Sequence, residues 1–178
     1  MKTLIYRLTA AGSIFALAWL AGAQQSSPAP RTPPTVGQIM MRDWQDIGRK
    51  IVEMAQEFPE DKYDYKPNPE VRSFAEQVLH VATGNVYSAK VAHGEKTEYV
   101  ELARDRYPSK ADVVAVLRQS FADTNAILKS ESEEQMKKRP GLWLGFLEHA
   151  GEHYGQLVVY YRMNGLVPPE SRPKPKAD

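Results

Sequence analysis

The sequence predicts an all-α fold, a four-helix bundle. Four segments of roughly twenty residues carry apolar side chains at steps of three and four residues, which is the spacing of one helix face. No segment alternates apolar and polar residues as a half-buried strand does. Helices of this length are about 30 Å long at ~1.5 Å per residue, and a bundle buries four matched apolar faces in one core. The connections of about 10 to 15 residues exceed the usual bundle loops and leave the topology open.

The first helix is predicted from about Thr35 to Glu57, where a Phe-Pro pair ends it. Its buried face is expected to consist of Ile39, Met40, Trp44, Ile47, Ile51, Met54 and Ala55. The connection 60–72 that follows contains two prolines, which argue against helix there.

The second helix is predicted from Ser73 to His93. Ser73 and Glu76 have the spacing of a capping box, and Gly94 supplies a natural C-terminal stop. Its core face is expected to consist of Phe74, Val78, Leu79, Val81, Ala82, Val86 and Ala89.

The third helix is predicted to begin at Ser109, and the fourth to span Leu142 to Asn164. The core face of the third comprises Val113, Val114, Val116, Leu117, Phe121, Ile127 and Leu128. In the fourth, Arg162 suits the negative end of the helix dipole, and Gly165 fits a left-handed cap before two prolines.

The fourth helix carries the pattern that suggests chemistry, a pair of histidines four residues apart. His149 and His153 project from the same helix face, so they can share one divalent metal ion. They belong to an apolar strip that comprises Leu142, Phe146, His149, His153, Leu157 and Tyr160. Burying two imidazoles without partners would be costly, because each ring has a donor and an acceptor to satisfy. A shared ion removes that cost; the alternatives are hydrogen-bonded core histidines and half-exposed polar histidines.

A third histidine, His80, lies off the centre of the apolar face of the second helix. It shares a narrower strip with Gly84, Tyr87 and Val91, and it becomes a third ligand if that strip faces the fourth helix. Three histidine ligands would leave at least one coordination position open, as in catalytic metal sites. His93 stands at a helix end and is predicted to be a C-terminal cap.

Gln156 and Tyr160 follow His153 on nearly the same strip, where they either orient a ligand or end the core. Tyr160 is predicted to be core, because aromatic side chains on such a strip usually pack. The acid Glu152 directly precedes His153 and would point away from the metal, unlike the general base of a His-Glu-x-x-His metalloprotease. Imidazole ligands alone do not distinguish zinc, nickel, iron or copper.

The two ends of the chain are predicted to lie outside the helical domain, residues 35–167. Residues 1–23 combine a basic start, an apolar run and the small residues Ala21-Gly-Ala23, the pattern of a secretory signal peptide cleaved after Ala23. Residues 24–34 form a linker rich in Pro and Ser, and residues 168–178 form a Pro/Lys-rich tail with nothing to bury. The predicted location is periplasmic or extracellular, and an uncleaved membrane anchor is the alternative.

Charge and cysteine content exclude several classes of function. The chain has 23 basic and 22 acidic residues; removal of residues 1–23 takes away Lys2 and Arg7 and no acid, which leaves a net charge of −1. No basic surplus supports nucleic-acid binding, and no membrane contact is expected after signal cleavage. The chain has no cysteine, so its stability rests on a packed core without disulfides. It also has no glycine-rich phosphate loop and no nucleophile elbow.

The chain resembles the DinB-like family of four-helix metalloproteins over about residues 36–172. The matching features are Trp44 and the segments 63–67, 73–80, 149–160 and 164–171, of which the last two are the most specific. The resemblance implies an up-down bundle with a long crossover and a divalent metal held by His80, His149 and His153. Characterised members resemble transferases and isomerases that depend on low-molecular-weight thiols, and an exported chain departs from those cytosolic enzymes.

Two functional hypotheses follow. The first is an exported metal-binding protein with an open coordination position for a small-molecule ligand, acting as a hydrolase or a thiol-linked transferase. The second is a non-catalytic helical module whose histidines are structural and which binds a small ligand or an envelope partner. A homodimer that buries a helix pair between protomers is a further alternative.

Overall fold

The computed structural model describes residues 32–174, which form a bundle of α-helices. The helices are α1 (Val36–Glu57), α2 (Phe74–Ala92), α3 (Lys110–Ser130), α4 (Glu133–Lys138) and α5 (Pro140–Met163), with single 3₁₀ turns at Glu60–Lys62, Arg104–Arg106 and Pro169–Ser171. Within residues 32–174 there is no strand, and none of these helices combines the length and apolar character needed to span a bilayer. The all-α prediction is confirmed.

The order of the helices around the bundle differs from their order along the chain. The four long helices contact one another in the cyclic order α1, α3, α2, α5. Consecutive helices α1 and α2 therefore lie across the bundle from each other, and so do α3 and α5. The connection 58–73 spans the first of these diagonal steps, whereas the similarly long connection 93–109 joins the neighbouring helices α2 and α3. This packing also sets α2 directly against α5, the helices that carry the three histidines.

Side-chain caps set where the helices begin. Thr35, Ser73, Ser109 and Ser132 each accept a hydrogen bond from a backbone N–H three residues on, and in each case the residue at that position bonds back to the cap. The capping box expected at the start of α2 is confirmed. Gly94 and Gly165 have φ angles of 79° and 70°, so the left-handed stops after α2 and α5 are confirmed as well.

Helix α4 was not predicted, and α5 begins at Pro140, two residues before the predicted start at Leu142. Helix α4 has six residues and buries one side chain, that of Met136, so it produces no apolar periodicity. Its end is held by an ion pair between Arg139 and Glu131. Pro140 is tolerated as the first residue of α5 because its missing N–H would have no partner inside the helix.

The predicted core faces are largely the observed ones, with Ile39 as an exception. Ile39 is 36% exposed, whereas Met40 is 6% exposed. The first turn of α1 presents Gly37 to the side chains of α4, within 3 Å of where a Cβ would lie. That contact turns Met40 inward and leaves Ile39 at the surface.

An aromatic cluster fixes the register between α2 and α5. The rings of Phe58 and Phe74 stack with centroids 3.8 Å apart, and Tyr161 packs on Phe58 at 5.2 Å. The Tyr161 hydroxyl donates to the backbone oxygen of Met54 at 2.7 Å, so the ring satisfies its polar group while buried. The start of α2 and the end of α5 are thereby held against the end of α1.

The predicted signal peptide and nearly all of the linker lie outside the described residues. The tail was predicted to have nothing to bury, but its first residues contact the bundle. Pro168 is buried, Glu170 pairs with Arg49 of α1 at 2.6 Å, and Arg172 pairs with Glu57 at 2.6 Å. These residues follow the left-handed turn at Gly165, which returns the chain towards α1.

Candidate metal centre

The structure brings the three predicted histidines together. His80 of α2 and His149 and His153 of α5 each offer a ring nitrogen, and the three nitrogens lie within 4.8 Å of one another. The ring centroids of His149 and His153 are 4.3 Å apart. The ring centroid of His80 lies 4.7 Å from that of His153 and 5.2 Å from that of His149. The strip that sequence periodicity assigned to His80 does face the last long helix.

A glycine on α2 makes room for the His149 ring. A Cβ at Gly84, one turn after His80, would lie 2.5 Å from Cε1 of His149 and 3.0 to 3.1 Å from its two nitrogens. Real Cβ contacts are not that short, so the ring occupies space that only glycine leaves open. Gly84 was on the predicted strip of His80, and its proximity to a histidine ring explains why a glycine stands inside a helix despite its cost there.

His153 is the most buried of the three, and two glutamines hold its ring. Its side chain lies in the core at 5% exposure. Gln156 Oε1 and Gln77 Nε2 lie 2.9 and 2.5 Å from its Nδ1, and the Gln77 amide donates to Gln156 Oε1 at 2.7 Å. When Nδ1–H donates to Gln156 Oε1, Gln77 acts on the ring through Gln156, because an amide N–H cannot donate to a protonated Nδ1. The Nε2 lone pair is then free for an ion shared with the other two histidines.

His80 is held by a carboxylate from the connection between α2 and α3. Its Nδ1 lies 2.8 and 3.1 Å from the two carboxylate oxygens of Glu101 and 3.0 Å from the Tyr99 hydroxyl. A ring that donates Nδ1–H to a carboxylate presents Nε2 on its other side. This arrangement of a carboxylate behind a histidine is common around metal ions, where it fixes the tautomer and makes the ligand more basic.

Burial keeps the α5 histidines neutral. It lowers the pKa of His149 to about 4, and the neighbouring charges of His153 and His80 act in the same direction. Burial also lowers the pKa of His153, although the hydrogen bond with Gln156 opposes that shift. At pH 7 both rings therefore carry a lone pair, which is the form in which imidazole binds metal.

The donor set fits a divalent ion of borderline softness. Three neutral imidazole nitrogens are suitable ligands for zinc, nickel, iron and copper, and a set of three leaves room for a further ligand. The surroundings fit as well, because Glu101 and Gln156 occupy the Nδ1 sides of two rings. The residues present are thus compatible with a metal ion held by Nε2 of His80 and His153 together with His149.

Sequence reasoning missed three contributors to this centre. Tyr99 and Glu101 lie in a connection without helical periodicity, and only the tertiary fold lays that connection over His80. Gln77 is polar but buried, at 3% exposure. Periodicity alone would place it at the edge of the core face. A glutamine three residues before His80 was the one sequence signal available.

The other singled-out residues have the places expected of them. His93 caps the end of α2 and is not part of the cluster. Tyr160 is core at 4% exposure, and its hydroxyl donates to the backbone oxygen of Arg72. Glu152 is exposed, where its carboxylate accepts a hydrogen bond from Gln156 at 3.2 Å.

Comparison with known proteins identifies the family. The DinB superfamily profile matches residues 44–164, most of the described bundle. The chain belongs to the DinB superfamily. Among solved structures it is similar to the crystal structure of a DinB-like protein from Bacillus subtilis, with 24% identity and a TM-score of 0.59 over 76% of this chain and 99% of that one. At that identity the likeness shows the fold alone. The curated proteins give no match.

Proposed function

We propose that this DinB superfamily member is an exported protein that binds one divalent metal ion through His80, His149 and His153, with at least one coordination position left for a small-molecule ligand. The observation that carries the proposal is the convergence of three ring nitrogens from two helices within 4.8 Å. Burial lowers the pKa of His149 and of His153, so two of the three adjacent imidazoles are held in the neutral form that binds metal.

The residues around the histidines define what the protein contributes to this site. Glu101 orients His80, Gln156 orients His153, and Gly84 lets the His149 ring lie against α2. A divalent ion bound there would supply Lewis acidity to a ligand in the open position. Zinc, nickel and iron all accept such ligands, so the donor set does not name the metal.

The reaction classes that fit are metal-dependent hydrolysis and thiol-linked transfer. Both need a metal ion with an open position next to a site for a small molecule. The family resemblance supports the transferase, whereas export away from the cytosolic thiols supports the hydrolase. The amino-terminal pattern that supports export lies outside the described residues. Cell fractionation, with the mass of the exported protein, tests for cleavage after Ala23.

Elemental analysis of the purified protein tests the metal proposal. We expect about one equivalent of a divalent metal after reconstitution and dialysis, and less than about a tenth of an equivalent in the double variant His149→Gln/His153→Gln. The matched control is His93→Gln, which removes an exposed histidine outside the cluster and should leave the metal content unchanged. Substoichiometric metal in the reconstituted wild-type protein would overturn the proposal.

A non-catalytic binding module is the second candidate, and one observation favours it. Glu101 and Tyr99 contact His80, and Gln77 and Gln156 contact His153, so two of the rings have polar partners without an ion. In that case the histidines are structural. Thermal unfolding that is insensitive to divalent metals, in the wild-type protein and in His149→Gln/His153→Gln alike, would support this candidate.

A further inference from the structure

A cavity lies beside the histidine cluster and is not formed by the histidines themselves. It has a volume of about 690 Å³, within the range of small-molecule sites. The connection between α1 and α2 forms one wall, and α2 and α5 form the others. The lining residues are Pro67, Glu70, Val71, Arg72, Gln77, Gln156, Val159 and Tyr160.

The apolar part of the wall includes side chains that are unusually exposed. Val71 and Val159 are 44% and 50% exposed, and both face this cavity. Tyr160 adds an aromatic surface whose hydroxyl is already bonded to the backbone of Arg72. Apolar side chains left open to water in a concave site favour a ligand with an apolar body.

Arg72 provides the charged end of the cavity. Within the described part of the chain its guanidinium pairs with Glu101, but the distance from Nε to Oε1 is 3.6 Å, too long for a hydrogen bond. The same Glu101 oxygen is only 2.8 Å from Nδ1 of His80. Arg72 therefore keeps donors for another anion, and its planar fork suits a carboxylate.

Glu70 is the competing charge on the wall. It is exposed, and it takes no part in the Arg72–Glu101 and Glu101–His80 ion pairs that connect Arg72 to the cluster. Gln77 and Gln156, the amides that contact His153, also line the cavity. Arg72 is the cationic residue among those that line the cavity, and it contacts the carboxylate that holds His80.

We propose that this cavity binds a small amphipathic carboxylate, with its carboxylate on Arg72 and its apolar body against Val71, Val159 and Tyr160. The proposal goes beyond the metal proposal and stands on the cavity itself. A bound anion would lie one side chain away from His80 through Glu101 and from His153 through Gln156. If the cluster holds a metal ion, this site positions the anion next to it.

Calorimetric titration with octanoate tests the proposal, performed on chelator-treated protein and on protein of measured metal content. We expect saturable binding, weakened about fivefold to tenfold by Arg72→Gln, since a partly exposed charge-assisted pair is lost. Val159→Ser should weaken it about threefold. The matched controls are Arg162→Gln and Leu144→Ser, exposed positions of α5 that do not line the cavity and should leave binding unchanged.

The outcomes separate this proposal from the metal proposal. Octanoate that binds neither form of the protein, binds Arg72→Gln equally well, or binds no better than octylamine overturns the cavity proposal, whatever the metal content. A protein that retains no metal even after reconstitution, yet binds octanoate through Arg72, overturns the metal proposal and supports this one.

Discussion

Gly84 shows how the histidine cluster depends on one absent side chain. The His149 ring packs where a Cβ at this position would be, 2.5 Å from Cε1. Gly145 offers a comparison within the same bundle, because a Cβ there would meet nothing within 4 Å. The two glycines differ in what they face, although each stands inside a helix.

We therefore expect Gly84→Ala to displace the His149 ring and to weaken the proposed metal binding about tenfold or more. Gly145→Ala should leave metal affinity unchanged and raise the free energy of unfolding by about 0.5–1 kcal/mol, since alanine favours helix. Competition with a chromophoric chelator measures affinity, and urea unfolding measures stability. Wild-type affinity in Gly84→Ala would contradict this role of the glycine.

The lowered pKa of His149 makes the stability of the metal-free protein depend on pH. The unfolded chain takes up a proton on this residue near pH 6.5, whereas the folded chain does so only near pH 4. Between these values the unfolded state binds more protons, so stability falls as pH drops from about 6.5 to about 4 and is unaffected by this group above that window.

Urea unfolding in chelator at several pH values between 7.5 and 4.5 measures this effect. We expect His149→Gln to show a shallower loss of stability with falling pH than the wild-type protein. His93→Gln, at an exposed position, should keep the wild-type slope. Identical slopes for wild type and His149→Gln would show that the ring is not desolvated as described.

The connection between α2 and α3 acts as part of the candidate site, although it contains little regular structure. Tyr99 and Glu101 contact His80, and Leu102 N donates to the Thr83 hydroxyl of α2 at 2.9 Å. This last bond fixes the connection to α2 next to Glu101. The helices supply the ligands, while the connection fixes the orientation of one of them.

We expect Glu101→Gln to lower the proposed metal affinity about 10- to 100-fold with little change in stability, as for other carboxylates behind metal-binding histidines. Glu98→Gln is the matched control, since Glu98 is exposed in the same connection. The measurement is chelator competition at pH 7.5. Equal affinities for the two variants would remove Glu101 from the centre.

As a complete bundle, the chain should be stabilised by the ion it is proposed to bind. The ligands come from two helices, so an ion would link α2 to α5 in the folded state only. Saturation at about 100 times the Kd corresponds to about 2.7 kcal/mol, which raises the Tm of a domain of this size by about 5–10 °C. Differential scanning calorimetry measures the shift, and it should be absent in His149→Gln/His153→Gln.

Apolar periodicity was sufficient to predict the four long helices, because each buries a continuous face. Capping boxes mark the starts of α1, α2 and α3, whereas α5 begins at Pro140 without a side-chain cap. It was insufficient for α4, whose single buried residue Met136 produces no period. The i, i+4 spacing on α5 likewise predicted that His149 and His153 point the same way. Local spacing carried these predictions because the two rings belong to one rigid helix.

The sequence by itself determined the helices, their caps and the histidine pair on one face of α5, since these depend on interactions among residues that are close along the chain. The tertiary structure decided that His80 joins that pair, that Glu101 orients His80, that Gln77 holds the Gln156 amide, and that Arg72 borders a cavity beside them. Those side-chain contacts join residues 21 to 79 positions apart, and they depend on which helices pack together. Periodicity defines the faces of a helix, but only the packing of α2 against α5 selects which faces meet.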